Sequence, residues 1–303
     1  MAFQRIAIIG LGLLGGSIGL AIKAYLPGAK TTGYDADPAT RARAAQRGLV
    51  DSICDSAASA VTDAELVILC VPVGAMAAAA GELAAALPAG ALVSDVGSSK
   101  QSVAKALAEA LPGHAIIPAH PVAGTERSGP DAGFASLFQQ RWCIITPPAD
   151  ADGAQLAALC AFWEALGAKV EVMDAGHHDM VLAVTSHLPH LIAYTIVGTA
   201  SDLEGVTESE VIKYSAGGFR DFTRIAASDP TMWRDVFLAN KDAVLAMLQR
   251  FTEDLTALQR AIRVGDGDQL FDHFERTRTI RRSIIEEGQD DARPDFGRSD
   301  HES

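Results

Sequence analysis

The stretch "RIAIIGLGLLGGSIGLAI", Arg5 to Ile22, constrains this chain more than any other. A short β-branched run ends in Gly10, and Gly10, Gly12 and Gly15 then follow in GxGxxG order, opening a helix from Leu14 to about Leu26. Such a strand, turn and helix bring backbone N–H groups to the start of a helix, where the helix dipole favours phosphate. Gly10 permits the tight turn, Gly12 lets backbone approach a pyrophosphate, and Gly15 lets the helix pack closely on the strand, with Leu13 and Leu14 in the same turn. A second strand, "KTTGYD", ends at Asp35, a little over ~20 residues beyond the glycines, where a carboxylate hydrogen-bonds both ribose hydroxyls. That carboxylate repels a 2′-phosphate, so NAD is expected over NADP. Arg41 and Arg43 fall too late, inside the next helix, to reverse the choice.

The same alternation continues. "LVILCVPV", "ALVSDVGS", "HAIIPAHP", "WCIITPP" and "KVEVMD" are strand-like runs separated by alanine-rich helical stretches. Strands alternating with helices imply right-handed crossovers, and runs apolar throughout imply a sheet covered on both faces. The expected fold is α/β, with a Rossmann-type, doubly wound, mostly parallel sheet over residues 1–174. After Asp174 the strand-like runs stop, and an all-helical domain is expected over 175–288, with residues 289–303 as a tail lacking an apolar period. The apolar character of those helices suggests a partner surface, most simply a homodimer. In the first domain, Val71, Pro72, Gly97 and Ser98 are expected beside the cofactor, because ligands of open α/β sheets sit beyond the carboxyl ends of the strands.

Composition narrows the partners. The 303 residues, 49% of them hydrophobic, suffice for two domains. A net charge of −13 argues against nucleic acid or an anionic membrane. It also means that a small anionic substrate needs local arginines to hold it. Cys54, Cys70, Cys143 and Cys160 lie scattered in apolar runs, which fits reduced thiols in the cytoplasm. The opening apolar run resembles a leader only superficially, since its glycine spacing serves no cleavage. "MVLAVTSHLPHLIAYTIVGTA" approaches the length of a membrane span, yet its histidines, Thr185, Ser186 and Pro189 favour a buried helix of a soluble protein.

The chemistry-bearing residues cluster in three places. His120 closes "HAIIPAH" at the carboxyl edge of the sheet, beside the nicotinamide position and held by Pro121, as an acid/base group for an alcohol under oxidation. Its bland alternative is a strand-capping histidine. In "TSHLPH", Ser186 and His190 stand one helical turn apart with His187 off that face, while His177, His178 and Asp179 lie just upstream. Metal ligation by these groups stays open as a minor alternative, although no metal spacing is present and no metal is expected. "GGFRDFTRIAASDPTMWRD" sets Arg220 and Arg224 one helical period apart among Phe219, Phe222 and Ile225, suiting carboxylate capture better than a solvated face.

Taken in order, "GLGLLGGSIGLAI", "DVGSSK", "HPVAGTERSG", "SHLPHLIAY" and "GGFRDFTRIAASDPTMWRD" resemble the motifs of the prephenate and arogenate dehydrogenases of tyrosine biosynthesis, from about residue 5 to 285. The resemblance implies NAD+-dependent oxidation of a cyclohexadienol at C4, with loss of the ring carboxylate as CO2. It implies that His120 takes the hydroxyl proton, that Ser98 hydrogen-bonds near that hydroxyl and the nicotinamide, and that Arg224 holds a substrate carboxylate beside Ser186 and His190. It further implies that Arg220 and Trp233 reach in from the second subunit of a homodimer, and that Glu126 lies near the substrate side chain. Where relatives commonly carry lysine, Arg220 keeps the charge and changes its geometry; Glu126 does not decide between prephenate and arogenate. Feedback by tyrosine, if present, would act at the active site itself. Two rivals remain: a 3-hydroxyacid dehydrogenase using Lys241 of "LANKDA", and an NAD-sensing module without catalysis.

Overall fold

A computed structural model of the chain describes residues 3–125, 127–207 and 217–286. The chain forms two compact units, Met1–Leu245 and Ala246–Ser303. In the first, strands β1 (Arg5–Ile9), β2 (Lys30–Tyr34), β3 (Ser52–Ile53), β4 (Leu66–Leu69), β5 (Leu92–Asp95) and β6 (Ala115–Ile116) form a parallel sheet in the order β3-β2-β1-β4-β5-β6. The order reverses beside β1, between β1 and β4, which is where an open α/β sheet opens a crevice for a ligand. Side chains alternate across the sheet into two cores. Ile6, Ile8, Leu66 and Ile68 pack on one face, and Ala7, Ile9, Val67 and Leu69 on the other. Burial of both faces is why β4 and residues 6–9 of β1 are apolar at every position.

Helices α1 (Leu13–Tyr25), α2 (Pro38–Arg47), α3 (Ala57–Val61), α4 (Met76–Leu83) and α5 (Gln101–Ala110) make the crossovers. Asp37 caps α2 by accepting from the N–H groups of Ala39 and Thr40, with Pro38 at its first position, so Arg41 and Arg43 do lie inside this helix.

One expectation needs correcting. "HAIIPAH" is not a single strand: β6 ends at Ile116, and β7 (Ala119–Pro121) belongs to a second sheet with β8 (Trp142–Ile145) and β9 (Lys169–Val172), ordered β7-β8-β9. Pro118 lies at the break. It has no N–H to extend the parallel ladder, and its carbonyl accepts instead from the N–H of Thr146. His120 therefore sits mid-strand opposite Ile144 in an antiparallel pair, not at the end of a parallel strand.

Beyond β9 the described residues are helical. Helix α7 (Ala175–Leu182) follows α6 (Gly153–Ala165) and runs through a π turn, Ala183–His187, into α8 (Leu188–Thr207). Then come α9 (Gly217–Thr223), a 3-10 turn at Arg224–Ala227, α10 (Pro230–Ala239) and α11 (Lys241–Val264). The stretch Ala175–Asp202 is long and apolar enough to cross a membrane, and 28% of its most apolar window is buried. The expectation of a buried helix holds for His178, Asp179, Leu182, Ala183 and His187, and fails for Met180, Val184, Ile196 and Val197, which are exposed. In the second unit, α11 continues and α12 (Gly267–Glu286) follows a turn at Gly265. Leu255, Ile262, Phe271, Phe274 and Ile280 of this unit are exposed.

Candidate active site

The cofactor end is built from three strand ends. Gly10 has φ +97°, and a Cβ there would stand 2.5 Å from the Cys70 carbonyl oxygen and 3.2 Å from Val71, so the end of β4 closes directly on the turn. A Cβ on Gly15 would meet the Gly10 carbonyl oxygen at 1.9 Å, which welds α1 to the turn. At Gly12, the N-cap of α1, a Cβ would meet nothing within 4 Å, and no side chain caps the helix. The first-turn N–H groups thus open onto accessible space, with half-buried Leu13 and Leu14 behind them. Asp35 lies alongside: its Oδ2 accepts from the Leu11 N–H at 2.8 Å and its Oδ1 from the Asp37 N–H at 3.0 Å. Arg41 donates back to the Asp35 carbonyl at 2.6 Å and covers the Tyr34 ring, 5.3 Å from its centroid. An uncapped helix N-terminus, a close-packed glycine turn and a fixed carboxylate fit a dinucleotide; Val71 is half-buried and Pro72 exposed at the same edge.

The chemical end lies past β5. Lys100 is completely buried, donates from Nζ to Asp95 Oδ2 at 2.5 Å and to the Ala119 carbonyl at 2.7 Å, and so ties the end of the parallel sheet to the strand that carries His120. Burial opposes both charges of this pair, pushing the Asp95 carboxyl up and the Lys100 ammonium down, while their mutual attraction works the other way.

His120 is 8% exposed, and its Nδ1 lies 2.8 Å from Nε2 of His178. His178 Nδ1 in turn lies 2.8 Å from Asp179 Oδ1. That carboxylate also accepts from the backbone N–H groups of Lys100 at 2.7 Å and Gln101 at 3.0 Å, at the start of α5. Burial, reinforced by His178, Lys100 and His187, pushes the His120 imidazole well below the ordinary histidine value, so it is neutral at neutral pH.

Around these groups the helices bring more side chains. The π turn buries His187 completely and leaves Ser186 half-buried. Its Nδ1 lies 3.1 Å from Asn240 Nδ2, which also donates to the Asp179 carbonyl at 2.8 Å. Burial pushes His187 down to about 4. His190 donates from Nδ1 to the Ser186 carbonyl at 2.8 Å and stacks on Trp233 with ring centroids 3.7 Å apart. Burial lowers its pKa, and the Arg224 charge lowers it further, which brings the 3-10 turn to the same cluster. Tyr194 of α8 fastens this arrangement by donating to the Ser228 carbonyl at 2.7 Å.

Several sequence expectations can now be placed. Ser186, His190, Arg224 and Trp233 are gathered together, as are Gly10, Gly15, Val71 and Asp35. Trp233 falls in the first turn of α10, which starts at Asp229 and Pro230; it stacks on His190 of its own chain and is 7% exposed. Arg220 is exposed on α9, and Lys241 is exposed at the start of α11. Ser98 is half-buried in the loop after β5, while Glu126 lies outside the described residues. Sequence reasoning missed Lys100, Asp95 and Asn240 and treated His178 and Asp179 only as metal candidates. Among the described residues no group of three or more His, Cys, Asp and Glu side chains is arranged to hold a metal.

Fold and site together define an oxidoreductase with a dinucleotide-binding sheet, a buried neutral imidazole beyond its carboxyl edge, and a helical region bearing arginine. Residues 18–172 match the nucleotide-binding domain of prephenate dehydrogenase and residues 174–276 its dimerization domain. The chain belongs to the prephenate dehydrogenase family. It is 46% identical to the cyclohexadienyl dehydrogenase of Zymomonas mobilis over 93% of this chain and 96% of that one. Among solved structures it is similar to the A. aeolicus prephenate dehydrogenase in complex with hydroxyphenyl propionate and NAD+, with a TM-score of 0.88 and 33% identity, covering 94% of this chain and 99% of that one. It is also similar to the Synechocystis arogenate dehydrogenase, with a TM-score of 0.79 and 27% identity over 92% of this chain and 99% of that one.

Proposed function

We propose that this chain catalyses the NAD+-dependent oxidative decarboxylation of prephenate, arogenate or both, giving 4-hydroxyphenylpyruvate and tyrosine respectively. The observation that carries the reading is a buried imidazole, His120, neutral at neutral pH and tied to the end of a dinucleotide-binding sheet by Lys100. The similarity to a cyclohexadienyl dehydrogenase over nearly the whole chain supports the same reaction class. Bound NAD+ supplies the hydride acceptor for the substrate C4–H. Gly10, Gly12, Leu13, Leu14 and Gly15 would hold its pyrophosphate, Asp35 its ribose, and Val71, Pro72 and Ser98 the nicotinamide side.

His120 takes the C4 hydroxyl proton as the hydride leaves, and Ser98 orients that hydroxyl. The bond from the ring to its carboxylate then breaks, its electron pair completes the aromatic ring as CO2 departs, and the C4 oxygen regains the proton held on His120 to give the phenol. Arg224 holds a substrate carboxylate against the His190 and Ser186 wall, consistent with the effect of its charge on His190. Arg220 of the partner subunit and Glu126 complete the substrate side. The functional division is placed at residue 174, with cofactor binding over 1–174 and substrate binding with dimerisation over 175–288; the 289–303 tail lies outside the described residues. The protein is proposed to work as a cytoplasmic homodimer, in keeping with its four free cysteines.

The test is turnover of purified protein with NAD+ and each substrate. NADH and a phenolic product are expected, and the ratio of kcat/KM values assigns the preferred substrate. No turnover with either substrate would overturn the reading.

A further inference from the structure

We propose that His178 and Asp179 are positioning residues for proton abstraction: through the hydrogen-bonded series His120, His178, Asp179 they lock His120 in the tautomer that presents an unprotonated Nε2 to the substrate hydroxyl. The inference rests on the reading of His120 as the base and adds what makes it competent.

The direction of each hydrogen bond follows from the far end. Asp179 accepts two backbone N–H groups, from Lys100 and Gln101, at the start of α5, so it is set as a pure acceptor. Burial opposes its ionisation, but the hydrogen bonds from His178, Lys100 and Gln101 outweigh that and hold its carboxyl below the ordinary range. The proton in the 2.8 Å contact between Asp179 Oδ1 and His178 Nδ1 therefore belongs to His178. Burial keeps His178 neutral at neutral pH, so its Nε2 carries a lone pair and accepts. In the next 2.8 Å contact the donor is then His120 Nδ1–H. A neutral imidazole protonated on Nδ1 has its basic lone pair on Nε2, and among the described residues that atom has no hydrogen-bond partner.

The surroundings reinforce this choice. The titratable groups around His120 are His178 and Asp179 from α7, His187 from the π turn, Asp95 at the end of β5, Lys100 at the N-cap of α5, and Cys143 from β8. Only His178 offers an acceptor to Nδ1. Asn240 fixes the neighbouring His187 by the same logic: its amide donates to His187 Nδ1, leaving the proton of neutral His187 on Nε2. Once His120 takes the substrate proton, its Nδ1–H faces a neutral acceptor backed by a carboxylate, which stabilises the new imidazolium.

Nitrogen NMR of the imidazoles in the full-length protein reads the tautomer directly. Wild type should show His120 protonated at Nδ1 with a pyridine-like Nε2 at neutral pH; a proton on Nε2 would overturn the proposal, whatever any variant does. His178→Leu should give a tautomer mixture and lower kcat about 10²-fold, with prephenate KM and NAD+ affinity unchanged. His178→Gln, whose side-chain oxygen accepts from Nδ1, should restore most of that loss. A His178→Leu enzyme turning over at the wild-type rate would refute the positioning role. Loss of activity in His120→Asn, measured alongside, would show that the base itself still stands.

Discussion

Replacing Lys100 with Met removes one ammonium group and leaves two buried acceptors behind. Asp95, like Lys100 wholly buried, would keep only the Gly97 N–H at 2.7 Å on Oδ2, since its Oδ1 already has no partner. The Ala119 carbonyl would lose its 2.7 Å donor. Breaking a buried ion pair by removing one partner costs roughly 3–5 kcal/mol. Asp95 would offset part of this by protonating, because burial already raises its pKa even with Lys100 present. A net loss of about 3 kcal/mol, at roughly 2–4 °C per kcal/mol for a unit of this size, lowers Tm by roughly 6–12 °C. Circular-dichroism melting at neutral pH measures it. The double variant Asp95→Asn with Lys100→Met removes the stranded charge, and most of the Tm should return. Activity should not return with it, because the strand bearing His120 is still unpinned at Ala119. A single variant that melts within about 2 °C of wild type would show that the pair is not a buried tie, contrary to the reasoning.

Three further outcomes are expected. Gly15→Ala places a methyl group 1.9 Å from the Gly10 carbonyl oxygen and should abolish NAD+ binding, whereas Gly12→Ala, with nothing within 4 Å, should keep its Tm and weaken NAD+ binding in a fluorescence titration. His187, held at about 4 in the fold, binds its proton more readily when unfolded, so folding stability is intact above about 6.5 and falls as pH drops toward 4. At 1.36 kcal/mol per pH unit that amounts to about 3 kcal/mol, and urea unfolding at the two ends of the window should show a smaller drop for His187→Gln. Arg224→Ala should raise substrate KM about 10- to 100-fold with Tm little changed, because the residue is exposed; a fall in Tm without a change in KM would make it structural.

The parallel sheet was legible because its central strands are buried on both faces, leaving apolar residues at every position of β4 and at residues 6–9 of β1. The glycine turn was legible because Gly10 and Gly15 answer steric demands that no other residue meets. The change of sheet at Pro118 was not, since β6 and β7 share one apolar run and only their partners differ. The spacing of Ser186 and His190 indicated one helix face, but the π turn at Ala183–His187 adds a residue to the ladder and buries His187 as well. Lys100 stood in a visible motif, yet lysine is almost never fully buried, so its tie to Asp95 had no local signal. The pairing of His178 with His120 spans 58 residues, and no periodicity within either segment announces it.

Steady-state NADH production by His120→Asn, with NAD+ affinity measured on the same preparation, should show kcat reduced by about 10²-fold or more and cofactor binding unchanged. Wild-type turnover in that variant would contradict the assignment of the base.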